Sequence, residues 1–415
     1  MKELENKGNN MTYDFDSLIE RKGTNSLKYD FMEEEGKPSD VLPLWVADMD
    51  FRAPDAVTEA LIQASRHGIF GYSEVKLPYF QAVHDWFQEN HNWDPKAEWL
   101  VKTPGVVYAV CTAIRALTNP GDAVLIQRPV YYPFSRGILE NKRKLVNNPL
   151  CFREGRYTVD LKDFERKIIE NQVKLFILCN PHNPVGRVWT AGELSDMGEV
   201  CRKHQVTVVS DEIHADFTFP GHRHTVFAGI KPEYSNMTIT CTAPSKTFNL
   251  AGLQVSNIFI ENNGLRRAFR KEMLRSGYLS LNTMGLVACQ AAYRHGYPWL
   301  IELRKYLGEN LEYVRNFLNR ELPQIRLVEP EGTYLLWLDF RALGMEDEQL
   351  NRFILEEAKL WLDRGSLFGP EGEGFQRINM ACPRATLEEA FSRLRDAVRL
   401  LNPPSDKDAH PQVRR

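Results

Sequence analysis

The amino-acid sequence predicts an α/β fold, with a large domain built on a mainly parallel β-sheet and a smaller α+β domain. Three observations support this prediction. The chain has 415 residues, more than one hydrophobic core usually spans. Short apolar or β-branched runs alternate with helix-period segments through the middle of the chain. From about residue 295 onward, long amphipathic segments replace this alternation.

The strands of the large domain are predicted from runs that are apolar almost throughout, as expected for strands covered on both faces. The segment "GELSDMGEVCRKHQ" at 192–205 lies between two of these runs and has the spacing of an amphipathic crossover helix. Strands joined by helical crossovers favour a parallel sheet. The predicted strands are 123–127, 174–179, 206–211, 237–242 and 257–260.

The C-terminal part of the chain predicts the smaller domain. A long amphipathic helix in "WLIELRKYLGENLEYVRNFLNREL" is followed by two strands in "IRLVEPEGTYLLWLDF" and by a closing helix in "TLEEAFSRLRDAVRLL". We therefore expect residues 1–60 to contribute to the small domain, 61–290 to form the large domain, 291–402 to form the C-terminal small domain, and 403–415 to be a flexible tail.

Composition narrows the classes of function. The net charge of −3 gives no indication of a nucleic-acid partner or an anionic membrane surface. No apolar run reaches the roughly 18 residues of a membrane span. The seven cysteines are never spaced C-x-x-C, and several lie in apolar runs, so we expect reduced thiols and a cytoplasmic protein. His222 and His224 have no neighbouring cluster of metal-ligating residues, so no metal site is predicted.

Polar residues follow three consecutive predicted strands. In open α/β sheets, ligands bind outside the carboxyl ends of the strands, so these residues sample the expected site. Each residue alone is ordinary, since Asn-Pro marks turns, Asp caps helices and Lys lies on surfaces. Their joint placement predicts a functional site. The strand ends bring together an amide, a carboxylate beside an imidazole, and an amine: Asn180 and Asn183, then Asp211 and His214, then Lys246.

The stretch "TPGVVYAVCTAIRALTNPG" at 103–121 has apolar residues at helical spacing and predicts a helix that begins near Gly105. Thr103 is expected to cap this helix, with Pro104 in its first turn. The N–H groups of Gly105, Val106 and Val107 would then point outward and could bind a phosphate. The stretch contains no G-x-G-x-x-G, so a single phosphate is favoured over a dinucleotide.

These features together resemble a known family. The blocks "NPHNPVGR", "SDEIH" and "SKTFNLAGLQ" are similar to the three signature blocks of the fold-type I pyridoxal-phosphate (PLP) enzymes, the aminotransferase class I/II superfamily. Further stretches look like its cystathionine β-lyase/cysteine desulfhydrase branch, the C–S lyases. These stretches are "RKGTNSLKYD", "PLWVADMDF", "FGYS", "RPVYYPF" and "RINMACPR", and the resemblance runs from about residue 14 to 400.

The resemblance implies PLP as the cofactor, bound in the large domain. Lys246 would bind its aldehyde covalently and later move the substrate proton, and Asp211 would pair with the pyridine nitrogen. The remaining cofactor contacts implied by the resemblance are Asn183 with the ring 3-oxygen, Tyr131 stacked on the ring, His214 beside Asp211, and Gly105, Val106, Val107 and Ser245 around the phosphate.

The resemblance also implies a homodimer that acts on a small amino-acid substrate. Tyr72 would reach the active site of the partner subunit and take part in catalysis there. Arg377 would bind the substrate α-carboxylate with its planar fork, and Trp45 would line the substrate mouth. The implied reaction is β-elimination of L-cystathionine or another cysteine S-conjugate to a thiol, pyruvate and ammonia.

Two positions depart from the pattern of many fold-type I enzymes. Gln254 lies where many carry an arginine that binds the phosphate, and His214 lies where many aminotransferases have tyrosine. The C–S lyase branch shares this histidine, which favours the lyase. Two alternatives stay open, an amino-acid aminotransferase and a PLP-binding regulator that acts through a protein contact.

Overall fold

The structure is a computed structural model that describes residues 13–278 and 280–401. The predicted tail 403–415 and the first residues of the N-terminal segment lie outside the described residues. The helices of the described residues are α1 Asp55–His67, α2 Leu77–His91, α3 Val106–Leu117, α4 Tyr132–Glu140, α5 Leu161–Asn171, α6 Ala191–Lys203, α7 Pro232–Asn236, α8 Pro244–Thr247, α9 Asn263–Arg275, α10 Thr283–His295, α11 Tyr297–Glu321, α12 Asp347–Arg352 and α13 Arg384–Leu401.

The strands of the described residues form two main sheets, a two-stranded pairing and a hairpin. No helix in this part of the chain is long and apolar enough to cross a membrane. The strands are β1 Leu42–Pro43, β2 Leu100–Thr103, β3 Ala123–Ile126, β4 Lys144–Asn147, β5 Cys151–Arg153, β6 Arg156–Thr158, β7 Leu175–Cys179, β8 Thr207–Asp211, β9 Thr238–Thr242, β10 Ser256–Phe259, β11 Arg326–Val328, β12 Leu335–Asp339, β13 Leu360–Trp361, β14 Asp363–Arg364 and β15 Phe375–Asn379.

The larger sheet has the strand order β2-β10-β9-β8-β7-β3-β4 among the described residues. Its strands pair in parallel except at β10, which runs antiparallel to both of its neighbours. The register pairs Cys179 of β7 with Asp211 of β8, and Asp211 with Cys241 of β9. The carboxyl ends of these three strands therefore lie side by side, which confirms the predicted mainly parallel α/β sheet.

Alternate residues of the central strands pack into different hydrophobic clusters. Phe176 and Leu178 of β7 pack in one cluster, whereas Leu175 and Ile177 pack in another. Because successive side chains of a strand point to opposite faces, both faces of the sheet are covered. This is the reason that the predicted strands are apolar at every position rather than at alternate positions.

The sequence analysis missed β2 and β4, which are the two edge strands of the larger sheet. Edge strands are covered on fewer sides and so contain fewer apolar residues. In β4, for example, Lys144 is exposed and only Val146 is buried. A short, mixed sequence of this kind lacks the apolar run from which the central strands were predicted.

The prediction that Thr103 caps α3 is wrong. The N-cap residue is Gly105, and no side chain caps the helix. Thr103 is the last residue of β2, and its hydroxyl lies 2.7 Å from the Ser256 hydroxyl on the neighbouring strand β10. The strand therefore continues through Thr103 and holds its side chain in the sheet, away from the free N–H groups of the helix.

The smaller sheet has the strand order β11-β12-β15-β14, all antiparallel, and α11 packs against α13 beside it. The N-terminal segment reaches this region, since β1 pairs in parallel with β13, with Leu42 opposite Leu360. The small domain of 1–60 with 291–402 stays a prediction. Residue 290 lies inside α10, and the break between α10 and α11 is at Gly296.

Candidate active site

The carboxyl ends of β7, β8 and β9 open into a cavity of about 210 Å³, together with the N-terminus of α3. The fold thus brings most of the predicted site residues together, although they are up to 141 positions apart in the chain. The predicted residues that line this cavity are Gly105, Val106, Val107, Tyr131, Asn183, Asp211, His214, Ser245 and Lys246.

Lys246 lies on the short helix α8, directly after β9. Its Nζ donates a hydrogen bond to the carbonyl of Ala47, at 2.7 Å. Burial, helped by the positive charge of Arg377, lowers the pKa of Lys246 to about 8. Roughly a tenth of the amine is then neutral at pH 7, far more than for an ordinary lysine, and this neutral form is nucleophilic and basic.

Asp211 is the last residue of β8, and its Oδ1 accepts a hydrogen bond from the backbone N–H of Ile213, at 3.1 Å. Burial raises the pKa of Asp211 to about 7, with a smaller contribution from neighbouring Glu212. Within residues 13–278 and 280–401, Asp211 forms no ion pair at hydrogen-bond distance. A carboxylate in this position is suited to a cationic group of a ligand.

The N-terminus of α3 forms a second wall of the cavity. The N–H groups of Val106 and Val107 are in the first turn of the helix, where backbone donors have no partner within the helix. No heavy atom lies within 4 Å of the place where a Cβ of Gly105 would be, so the space in front of this residue is open. Gln254 is exposed and does not line the cavity. The arrangement suits an anion held by backbone groups.

Arg377 enters this region from β15 of the smaller sheet. Its Nη1 donates to Asn183 Oδ1 at 3.1 Å, and its Nη2 donates to the carbonyl of Trp45 at 2.8 Å. Nη2 also pairs with the carboxylate of Asp363, which lies opposite Arg377 on β14. The guanidinium is 3% exposed, and its Nε is buried without a partner among the described residues. Arg377 thus retains a buried donor for a ligand carboxylate.

The sequence analysis missed Asp363 as a partner of Arg377. The pairing depends on the register between β14 and β15, which a two-residue strand does not reveal in the sequence. Burial raises the pKa of Asp363, and the charge of Arg377 opposes this shift.

The segment 45–51 closes one side of the site. Asn379 Nδ2, on the strand of Arg377, donates to the carbonyls of Val46 and Asp48. Asn249, three residues after Lys246, holds Met49 through its side-chain oxygen and nitrogen. Two asparagines therefore tie this segment to the strand of Arg377 and to the loop that follows Lys246. The sequence shows that both residues are asparagines, but it does not show their hydrogen-bond partners.

His214 lies in the cavity wall as a neutral imidazole. Burial, with the charges of Lys246 and Arg377, lowers its pKa well below the ordinary value. Its ring contacts Tyr334 edge-on, with 5.9 Å between ring centroids, and its Nδ1 is buried without a hydrogen-bond partner among the described residues. Histidine at this position can therefore exchange hydrogen bonds with a ligand but does not supply a positive charge.

Three predicted site residues do not line this cavity: Arg377, which lies beside it, Trp45 and Tyr72. Trp45 stacks on Trp361, with 4.6 Å between ring centroids, and lines a neighbouring cavity. Tyr72 is fully exposed, in a segment where Ile69 and Phe70 are also exposed. Tyr72 thus has no place in the site of its own chain, and its role in a partner's site stays a prediction.

The residues present fit PLP. An amine faces the cavity for the aldehyde, and within the described residues the carboxyl of Asp211 forms no ion pair that would compete with the pyridine nitrogen. The open space at Gly105 and the free N–H groups of α3 suit the phosphate. No group of three metal-ligating side chains was found in the described part of the chain.

Comparisons with known proteins identify the family of this chain. The family model "Aminotransferase class I and II" matches residues 39–394, so the chain belongs to this family. The chain is similar to cystathionine beta-lyase PatB of Bacillus subtilis, with 45% identity over 92% of this chain and 99% of the relative. It is also similar to the crystal structure of cystalysin from Treponema denticola, which contains pyridoxal 5'-phosphate. The identity is 39%, the TM-score is 0.92, and the match covers 94% of this chain and 100% of that chain.

A third similar protein is the PLP-bound C-S lyase from Staphylococcus hominis. Its identity to this chain is 33%, the TM-score is 0.87, and the match covers 93% of this chain and 98% of that chain. The three matches extend over both sheets, so the similarity includes the region of Arg377 as well as that of Lys246.

Proposed function

We propose that the chain is a PLP-dependent C–S lyase that cleaves L-cystathionine or another cysteine S-conjugate by β-elimination. The products are a thiol, pyruvate and ammonia. The observation that carries this proposal is the placement of Lys246 and Asp211 in one cavity, which the N-terminus of α3 also lines. The names of the relatives support the choice of a lyase within the family.

When bound, PLP supplies an aldehyde that takes up the substrate amine and a ring that accepts the electron pair left at Cα. Asp211 would hold the proton at the pyridine nitrogen, because a carboxylate beside that nitrogen favours its charged form. Asn183 accepts from Arg377 through its Oδ1, so its Nδ2 would be the group that donates to the ring 3-oxygen. Tyr131 would pack on the ring, and the backbone groups of α3 with Ser245 would hold the phosphate.

Lys246 removes the Cα proton, and its lowered pKa suits this task near neutral pH. Arg377 binds the substrate α-carboxylate and thereby turns the Cα–H bond toward Lys246. With the Cα proton removed, a thiolate leaves from Cβ. A thiolate is a far better leaving group than a hydroxide or a carbanion, so substrates with sulfur at Cβ favour elimination.

The proposal includes a cytoplasmic homodimer in which Tyr72 completes the site of the partner subunit. The exposure of Tyr72 with Ile69 and Phe70 supports this, because a contiguous apolar surface is typical of an interaction site. The seven cysteines are free thiols, which supports a reducing compartment.

Product analysis tests the reaction. Purified enzyme with PLP and L-cystathionine, without an added oxo acid, should release pyruvate, ammonia and thiol in equal amounts. Alanine and aspartate serve as controls, because they have no such leaving group and should give no sustained turnover. If consumption of cystathionine required a 2-oxo acid and produced no thiol, the aminotransferase alternative would replace the lyase.

A further inference from the structure

Asp216 is a buried carboxylate in the segment that follows β8 and Asp211. Its Oδ1 accepts a hydrogen bond from Trp86 Nε1 at 3.0 Å and lies 2.8 Å from His91 Nε2, and both partners are on α2. Its Oδ2 accepts a hydrogen bond from the Thr247 hydroxyl at 2.6 Å. Thr247 directly follows Lys246, so Asp216 connects the segment after β8 with the helix that carries the amine.

The surroundings of Asp216 keep its carboxyl group ionised. Burial alone would raise the pKa of Asp216, but the hydrogen bond and charge of His91, with the hydrogen bonds of Thr247 and Trp86, lower it below its ordinary value. Hydrogen bonds to an ionised acceptor are shorter and stronger than those between neutral groups. The hydroxyl of Thr247 is therefore held more firmly than it would be by a neutral acceptor.

The helix that carries Lys246 needs such an anchor. Helix α8 has four residues, and no side chain caps its N-terminus. A helix this short is not stable by itself, because its first turn fixes several dihedral angles for few hydrogen bonds. Contacts of its side chains therefore set its direction. Thr247 is 1% exposed, and the next residue, Phe248, packs edge-on against Trp86, with 5.2 Å between ring centroids. Trp86 and Asp216 thus hold the C-terminal end of α8 together.

We propose that Asp216 is a positioning residue for Lys246, and that it acts through Thr247 to hold α8 in the direction that brings the amine to the substrate Cα. This rests on the proposed lyase function, in which Lys246 removes the Cα proton. Neither Asp216 nor Thr247 lines the cavity, so both act through Lys246. Arg377 lies on β15, so a shift of α8 displaces the amine without moving the carboxylate site. Because catalysis is sensitive to displacements of about 1 Å, loss of the anchor should lower kcat more than it raises KM.

Variants of Thr247 test this role. Thr247→Val removes the hydroxyl and keeps the branched shape, whereas Thr247→Ser keeps the hydroxyl. With L-cystathionine, Thr247→Val should lower kcat by about 10- to 100-fold, with a change in KM of less than about twofold. Thr247→Ser should retain most of the wild-type kcat. Asp216→Asn, which removes the charged acceptor, should also lower kcat. Its addition to Thr247→Val should cause little further loss, because both changes weaken the same contact.

Thr238→Val is the matched control. Thr238 is also 1% exposed, and its hydroxyl donates to the carbonyl of Tyr234 at 2.6 Å, but it begins β9 at the end of the strand away from Lys246. Both valine variants lose one buried hydrogen bond, so both should lower the Tm by a similar amount. Thr247→Val alone should lower kcat. An equal kcat in the two valine variants would leave Thr247 and Asp216 with a structural role and overturn the proposal.

The visible circular dichroism of bound PLP provides a readout that is independent of turnover, because it reports how the protein orients the cofactor. The spectrum should change in Thr247→Val and Asp216→Asn and remain as in the wild type in Thr247→Ser and Thr238→Val. A wild-type spectrum in Thr247→Val would overturn the positioning role. If the wild-type enzyme released no pyruvate from cystathionine, the proposed lyase function would fail, and the spectra would still decide whether Thr247 positions Lys246.

Discussion

Burial shifts the pKa values of the two central side chains in opposite directions, because it disfavours the charged form of each. It lowers the pKa of Lys246 to about 8 and raises the pKa of Asp211 to about 7. The amine and the carboxyl thus both titrate within about one unit of neutral pH. Shifts of this size at neighbouring positions in a cavity are typical of catalytic sites.

Lys246 is predicted to be the lysine that binds PLP covalently. After borohydride reduction of the holoenzyme, peptide mapping should place the pyridoxyl label on residue 246. Lys246→Ala should reduce turnover by well over the ~10²–10⁴-fold typical of a lost acid–base group, because one side chain performs two tasks. The exposed Lys271 of α9 provides a matched control, Lys271→Ala, which should retain label and activity. A label on any other lysine would contradict the assignment.

Asp211 is predicted to make the stability of the cofactor-free protein depend on pH. Its folded-state pKa of about 7 is above the ordinary value of 3.8, so the folded protein binds this proton more tightly than the unfolded chain. The resulting stabilisation is complete below about pH 3.8 and is lost as the pH rises through 7. The loss should be on the order of a few kcal/mol in the free energy of unfolding.

Thermal unfolding from pH 5 to 8 measures this effect. As the pH rises, the Tm of the cofactor-free wild type should fall relative to the Tm of Asp211→Asn, because asparagine does not titrate. Asp196→Asn, at an exposed position of α6, is the control and should follow the wild-type curve. In the holoenzyme, Asp211→Asn should lose most of its activity while it keeps its fold. Parallel Tm curves for the wild type and Asp211→Asn would refute the assigned pKa shift.

At the scale of elements, the N-terminus of α3 is predicted to hold the cofactor phosphate. Gly105 has an extended φ of 179°, which alanine also adopts, so Gly105→Ala should leave the free energy of unfolding unchanged or raise it by up to about 1 kcal/mol. The added methyl group would occupy the open space at the helix end. The added methyl group should weaken PLP binding by about 10- to 100-fold, as expected for a modest steric clash.

Gly308→Ala is a matched control, because a Cβ at Gly308 also meets no atom within 4 Å but lies on α11, outside the cavity. Titration of the cofactor-free variants with PLP, followed by absorbance, measures the affinity. If Gly105→Ala bound PLP as tightly as Gly308→Ala, the phosphate site would have to lie elsewhere.

The elements that could be predicted from sequence are those whose signal is local. The central strands β7, β8 and β9 were predicted because burial on both faces requires apolar residues at every position. Their ends identified Asn183, Asp211 and Lys246, since ligands bind at that edge of such sheets. The edge strands β2 and β4 carry no such signal, and Thr103 was misassigned because a cap and a strand end look alike in sequence.

Contacts between distant elements could not be predicted in the same way. The ion pair of Arg377 with Asp363, and the hydrogen bonds of Asn249 and Asn379 to segment 45–51, depend on strand register and on how the two sheets are placed. The resemblance to a family supplied the role of Arg377 as an expectation. The physical reason for its orientation, with Asn183 on one side and Asp363 on the other, required the structure.

At the scale of the whole molecule, the site joins parts of both sheets. Asn183 follows β7 of the larger sheet, and Arg377 lies on β15 of the smaller sheet, yet their side chains form a hydrogen bond of 3.1 Å. Segment 45–51 bridges the same boundary. A substrate bound by Arg377 and Lys246 would therefore contact both sheets at once, and movement between them would change the site directly.

Tyr72 tests whether the complete site also needs a second chain. Tyr72→Ala and Lys246→Ala should each be nearly inactive alone. If Tyr72 acts in the partner's site, a mixed dimer of the two variants has one site with both lesions and one site with none. Co-expression with different tags and purification of the mixed dimer should therefore restore about half of the wild-type activity per dimer, because one of two symmetry-related sites is intact.

The matched control combines Lys246→Ala with Asp211→Asn, two lesions that belong to the cavity of one chain. In that mixed dimer each site keeps one lesion, so activity should not return. If the Tyr72→Ala and Lys246→Ala pair also stayed inactive, Tyr72 would act within its own chain or only in folding. Full activity of Tyr72→Ala alone would remove it from catalysis. Tyr72 is exposed and does not line the cavity of its own chain. Of these outcomes, only complementation is consistent with a tyrosine that completes the site of a neighbouring subunit.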